Sequence, residues 1–183
     1  MSVSLDHIKQ VRIEAECLVS TKQAESALDT MAAAITARHQ NNSPLVVCIM
    51  NGGLVVTGCL LSRLDFPLEQ DYMHVTRYRG DTQGGELNWI VEAQHSLKDR
   101  HVLIVDDILD EGYTLAAIVE FCRKAGARSV ETAVLVEKLH NRKQGIKADY
   151  IGLKMDDRYL FGYGMDYKGF LRNAPGIFAV KGM

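Results

Sequence analysis

The stretch "HVLIVDDILDEGYTL", His101 to Leu115, decides how this chain folds. Val102 to Val105 is an unbroken apolar run, which a strand needs when both of its faces are buried, as in a parallel sheet covered by helices. The run passes straight into Asp106 and Asp107 and, after two apolar residues, into Asp110, Glu111, Gly112, Tyr113 and Thr114. From Thr114 to Ala125 the apolar residues recur at helical spacing. Strand, acidic turn and helix follow in that order. The acids fall at the carboxyl end of the strand, where open α/β sheets bind their ligands.

The flanking sequence repeats the alternation. Ser20 and Gln23 make a capping box, and Ala24, Ala27, Leu28, Met31 and Ile35 carry a helix through Arg38. "LVVCIM" (45–50) predicts an apolar strand, Gly53 to Leu64 a helix and "YMHVTRY" (72–78) a strand. "GDTQGGE" (80–86) is a glycine-rich loop, and "SVETAVLVEK" (129–138) predicts a further strand. The expected architecture is α/β: a doubly wound, mainly parallel sheet with helices on both faces. The tail differs, with "DYIGLKM", "RYLFGY" and "GIFAVK" predicting short strands among glycines. One domain is expected, with a core over about 40–145 and a small hood built from the N-terminal segment and about 150–183.

Composition narrows the function. The 183 residues, 47% of them hydrophobic, provide a sizeable core for one domain. The formal charge is −2 and the 21 basic residues are scattered, so neither a nucleic-acid footprint nor an anionic-membrane face is present. Any bound anion should be small and locally held. The N-terminus is charged from Asp6 onward and shows no apolar signal core, which places the protein in the cytoplasm as an expectation. The most apolar window, Leu45 to Leu61, is shorter than a membrane span and is broken by Asn51, Gly52 and Gly53. Cys17, Cys48, Cys59 and Cys122 lack metal-site spacing, and three lie in apolar runs, as buried free thiols would.

The acidic turn carries the chemistry. Backbone N–H groups of Asp110 to Thr114 converge at a helix N-terminus, which favours a phosphate. Asp106 and Asp107 suit vicinal hydroxyls or a divalent cation, and Asp110 lies close enough to exchange a proton with the bound molecule. Acids beside a phosphate cradle read as recognition of a phosphorylated sugar. A solvated turn with capping acids would account for neither their placement at the strand end nor the whole pattern.

"VLIVDDILDEGYTL" resembles the 5-phosphoribosyl diphosphate signature of the type I phosphoribosyltransferases. "VVCIMNGG", "LVEKLHNR" (135–142), "ADYIGLKMDDRYLFGYGMDY" (148–167) and "FLR" (170–172) resemble segments of the hypoxanthine-guanine branch of that family. The resemblance implies transfer of a ribose 5-phosphate from 5-phosphoribosyl diphosphate to nitrogen 9 of a 6-oxopurine, with Mg2+, in purine salvage. It implies ribose hydroxyls on Asp106 and Asp107, near one magnesium, and a second magnesium on Asp166. The 5-phosphate would rest on Asp110, Glu111, Gly112, Tyr113 and Thr114, and Asp110 would be the acid/base at the purine imidazole. Partial desolvation is expected to raise its pKa toward the working range.

Lys138 matches the donor to the purine 6-oxo group, since an ammonium only donates and rejects a 6-amino group. Tyr159 matches the aromatic that stacks on the base, and Leu160 and Asp166 offer carbonyls near the purine 2-position. Arg172 and Arg142 match diphosphate contacts, as do Asn51 and Gly52 in a loop where the resemblance implies a cis Met50–Asn51 peptide. Two positions depart from the pattern: Asn51 stands where many relatives have lysine, and Arg77 precedes Tyr78 where they have serine. Tyr78 to Trp89 reads as a lid that excludes water, with a surface hairpin as the competing reading. The partners expected are small molecules, not nucleic acid or membrane, with assembly as a homodimer or homotetramer. The alternative reading is a nucleotide-sensing regulator on the same fold, which would be expected to show a basic face or an added domain.

Overall fold

From the amino end, α1 (Leu5–Glu14) and β1 (Glu16–Ser20) lead into α2 (Thr21–His39). Strands and helices then alternate as β2 (Leu45–Met50), α3 (Gly53–Leu61), β3 (Glu69–Arg77), β4 (Leu87–Val91), β5 (His101–Leu109), α4 (Tyr113–Lys124) and β6 (Ser129–Leu139). They are followed by β7 (Tyr150–Asp156), β8 (Leu160–Phe161) and β9 (Gly176–Ala179). The computed structural model describes residues 3–77, 87–143 and 145–183.

The apolar runs form one six-stranded sheet in the order β4-β3-β2-β5-β6-β7, parallel except for the edge strand β4, which runs antiparallel to β3. Because side chains alternate across a strand, each run supplies both layers. Val46, Leu103, Val105, Ala133 and Leu135 pack with α2 and α3, whereas Leu45, Val47, Val102, Ile104 and Val134 pack with α4. The doubly wound reading holds. A three-stranded antiparallel sheet, β1-β9-β8, makes the hood from both ends of the chain. Its own core gathers Ile8 of α1 with Phe161, Tyr167, Ala174, Phe178 and Val180.

Several elements depart from expectation. β5 does not end at Asp107; it continues to Leu109, because β6 pairs with it as far as Leu109↔Glu137 after β2 has stopped at Cys48↔Val105. The helix expected to reach Leu64 stops at Leu61, where the Ser62 hydroxyl and the Arg63 N–H take the carbonyls of Cys59 and Leu60. The strand near 150 belongs to the large sheet rather than the hood, since β7 lies parallel to β6. α1, β1 and β4 were not expected. Cys48 and Cys122 are buried, but Cys59 is half-buried and Cys17 exposed, and all four are free thiols. Most of the expected lid, 78–86, lies outside the described residues, and its last residues form β4, where Trp89 pairs with Val75.

Hood and core are fastened by a polar network of four side chains. The Tyr163 hydroxyl donates to Glu25 Oε1 at 2.5 Å. Arg63 closes on the other Glu25 oxygen and on Asp29, at 2.7 Å. The Tyr163 bond holds the Glu25 carboxyl below its usual range. Tyr163→Phe should therefore lower unfolding free energy by about 1–2 kcal/mol, the worth of a hydrogen bond to a partly exposed carboxylate, as read from urea unfolding.

Candidate active site

Where β2 turns away from β5, the sheet opens. The Met50–Asn51 peptide is cis, as the resemblance implies, and Gly52 then lies directly over the Asp107 carboxylate. A Cβ on Gly52 would sit 2.2 Å from Asp107 Oδ2, and a Cβ on Gly164 of the hood would sit 2.1 Å from the Gly52 carbonyl oxygen. Asp107 is thus roofed by backbone and only 7% exposed. Asp106 accepts the Asp107 N–H at 2.9 Å. Burial pushes the Asp106 carboxyl well above the usual carboxylate range, reinforced by the charge of Asp107, and burial raises Asp107 as well. The positive charge nearest Asp107 is Arg172, at 3.9 Å, and that guanidinium also pairs with Asp166 at 2.6 Å and donates to the Gly164 carbonyl at 2.5 Å. A buried acid pair with so little counter-charge is suited to a cation or to hydroxyl donors.

Next along the chain, Gly112 is the N-cap of α4 with φ +88° and, having no side chain, makes no side-chain cap hydrogen bond. A Cβ there would stand 2.4 Å from Ile146 Cγ2 and 3.2 Å from Leu109 Cδ1. The left-handed turn aims the first N–H groups of α4 at a cleft of about 390 Å³. Asp106, Asp107, Asp110, Thr114, Asn51 and Arg172 are among its walls. His74 and Thr76 of β3 also line it, and no motif singles them out.

A second cavity of about 300 Å³ adjoins the first and shares Asp107, Ile108, Asp110 and Asp166 with it. Lys138, Tyr159, Leu160 and Met165 line the rest. Lys138 is 9% exposed, and its Nζ lies 3.0 Å from Asp110 Oδ2 and 3.5 Å from Asp157 Oδ1. Tyr159 is 39% exposed and meets Tyr167 edge-on at 5.5 Å, which leaves ring surface open. Leu160 pairs with Ala179 in the hood sheet.

Two expectations need correction or relocation. Burial pushes the Asp110 carboxyl upward as expected, but hydrogen bonds from Lys138 and His140 outweigh it and hold the group below its usual range. Arg142 lines neither cavity; its guanidinium reaches Asp157 at 2.7 Å and Glu111 at 3.7 Å. Tyr113 is exposed and also lines neither cavity, and Tyr78 lies outside the described residues. Asp110, His140 and Asp157 bring potential ligand atoms within 4.8 Å of one another. The Lys138 ammonium bonds to both of these acids, so this cluster is an ion-pair network rather than a cation site. His140 and Asp157 went unnoticed in the sequence. The available signal was spacing, since Lys138 and His140 stand two apart at a strand end and so share a side.

Residues 15–168 match the family described as "Phosphoribosyl transferase domain". The hypoxanthine-guanine phosphoribosyltransferase of Bacillus subtilis is 34% identical over 90% of this chain and 92% of its own length. That of Staphylococcus aureus is 33% identical over 91% and 93%. Among solved structures, a hypoxanthine phosphoribosyltransferase from Staphylococcus aureus superposes with TM-score 0.87 at 31% identity, covering 99% of this chain and 97% of that one. A hypoxanthine-guanine-xanthine phosphoribosyltransferase gives 0.83 at 27% identity over 91% and 96%.

Gly112→Ala should destabilise the fold by about 1–3 kcal/mol, from the left-handed backbone and the displaced Ile146. Gly169→Ala is the control, because Gly169 has φ +86° with nothing within 4 Å of a Cβ, and it should show the smaller loss in the same thermal melt.

Proposed function

This chain belongs to the phosphoribosyltransferase family, and on that premise we propose that it transfers the 5-phosphoribosyl group of 5-phosphoribosyl diphosphate to nitrogen 9 of hypoxanthine or guanine. The products are IMP or GMP and diphosphate, as purine salvage requires. The observation that carries this reading is the pair of cavities meeting at Asp110: one has the glycine-capped start of α4 and the Asp106–Asp107 acid pair, the other a buried ammonium and an open aromatic face.

The first cavity takes the sugar. Asp106 and Asp107 accept from the ribose hydroxyls, and the N–H groups of Asp110 to Thr114, with the Thr114 hydroxyl, hold the 5-phosphate. Asn51, Gly52 and Arg172 face the diphosphate, where the guanidinium neutralises charge as the leaving group departs. Arg142 and Tyr78 belong to the same proposed set, Arg142 from the rim of the site. The second cavity takes the base, with Tyr159 stacking on it and the Leu160 and Asp166 carbonyls near its 2-position. Lys138 has three donors, two of them directed at Asp110 and Asp157, so the third is available to the 6-oxo group. Asp110 accepts the imidazole proton as the bond from nitrogen 9 to the sugar forms.

Asp106, Asp107 and Asp166 fit Mg2+, because burial leaves the first two short of positive charge. When bound, Mg2+ supplies charge neutralisation on the diphosphate. No helix among the described residues is long and apolar enough to cross a membrane; a cytoplasmic location is proposed as the setting for purine salvage. Its assembly is proposed as a homodimer or homotetramer, which light scattering would measure.

Purified protein with 5-phosphoribosyl diphosphate, Mg2+ and hypoxanthine should yield IMP; absence of nucleotide with hypoxanthine, guanine and xanthine alike would overturn the reading. Asp110→Asn should lower kcat by about 10²–10⁴-fold, the usual contribution of a general acid or base, with the sugar diphosphate still bound in calorimetry. Lys138→Ala should erode discrimination between hypoxanthine and adenine, which at a site built around one polar group reaches about 10⁴-fold, as measured by the ratio of kcat/KM values.

A further inference from the structure

The closest contact to the Asp110 carboxylate comes from His140. Its Nε2 lies 2.7 Å from Asp110 Oδ1, and the side chain is 5% exposed. Its Nδ1 receives the backbone N–H of Arg142 at 3.1 Å. A backbone amide only donates, so Nδ1 carries the lone pair and the ring proton sits on Nε2. The carboxylate is thus divided between two donors: His140 on Oδ1 and Lys138 on Oδ2, at 3.0 Å. Only one of them lines the base cavity, and that is Lys138.

We propose that His140 is a positioning residue for the transfer reaction, whose neutral Nε2–H holds Asp110 as an oriented carboxylate with Oδ2 turned to the purine. This inference rests on the reading of Asp110 as proton acceptor. When the third Lys138 donor engages the 6-oxo group, the lysine is shared among the purine, Asp110 and Asp157, while Asp110 remains half-buried. The Nε2–H of His140 serves Asp110 alone. The purine N–H proton passes to Oδ2, its electron pair remains on nitrogen as the bond to the sugar carbon forms, and the bond from that carbon to diphosphate oxygen breaks. His140 keeps its own proton throughout.

The charged groups around the ring are Asp110 from the loop after β5, Asp157 from beyond β7, and Lys138 at the end of β6, which bonds both acids. With Nδ1 accepting the Arg142 amide, the Nε2–H is the ring's donor to Asp110. Burial pushes Asp110 upward, and His140 with Lys138 brings it down. Removing His140 therefore raises the Asp110 pKa. Because activity needs the carboxylate, the loss of rate on acidification then begins at higher pH.

The test compares wild type, His140→Leu and His140→Gln, whose amide N–H reaches the Nε2 position. The Leu variant should lose about 10–100-fold in kcat, the range for a hydrogen bond to a charged group, with KM for the sugar diphosphate little changed. Its acid limb should move upward, and carbon-13 titration of the Asp110 carboxyl in ligand-free protein should move the same way. The Gln variant should recover both. An unmoved acid limb and carboxyl titration in the Leu variant, or a rate loss that Gln does not repair, would overturn the role. If the Leu variant does not fold, His140→Asn replaces it, since the shorter amide fills the Nδ1 position and falls short of Asp110. Should the wild type transfer no phosphoribosyl group, or Asp110→Asn keep full turnover, the functional reading falls by itself, and the carboxyl titration still decides whether His140 holds Asp110.

Discussion

The site depends on two strands that part. β2 and β5 pair only as far as Cys48↔Val105, while β5 continues beside β6 for four more residues, to Leu109↔Glu137. This is the reversal point of the strand order, and an open sheet leaves a crevice there. Asp106 and Asp107 occupy the stretch of β5 that has lost a neighbour. Their burial comes from what is laid over them: the backbone of Gly52 from the core and of Gly164 from the hood. Any side chain at either position would displace the carboxylate or separate the two sheets. The crevice therefore depends on two glycines from distant parts of the chain as much as on the acids themselves.

The acids of the site follow two electrostatic rules. Asp106 and Asp107 are left short of counter-charge and are raised in pKa by burial, which a cation or hydroxyl donors would relieve. The acids around Lys138 are matched. Asp110 and Asp157 are pinned by Lys138, and Asp157 also by Arg142, which holds both carboxyls below their usual range. Asp110 stands on the boundary between the two regimes. Its protonation thus responds to what either cavity contains, as the proposed proton exchange requires.

Local pattern made most of the core legible. The unbroken apolar runs of β2 and β5 announced strands buried on both faces, and the Ser20–Gln23 capping box marked the start of α2 to the residue. The Asp106 to Thr114 turn was legible because strand, acid pair, glycine and helix are contiguous. β7 was assigned to the hood because it is an edge strand with Gly152 and Lys154 interrupting its apolar pattern, so its period resembled the loose tail. The hood was harder still, since its strands are short and β9, from the far end of the chain, is what joins β1 to β8. The state of Asp110 was misjudged for a similar reason. Its burial follows from the strand it terminates, but the residues that outweigh that burial, Lys138 and His140, come from β6 and the turn after it.

The hood also constrains when the site can exist. β1 is made early and waits for β9, which lies near the far end of the chain, while Gly164, Asp166 and Arg172 reach the crevice only through the segment that β9 anchors. During synthesis the large sheet can form as soon as β7 has emerged, since each of its pairings lies within residues 45–156. A chain at that stage has Gly52 over Asp107 but neither Gly164 above it nor Arg172 beside it. The crevice is therefore completed only by residues that follow the last strand of the large sheet.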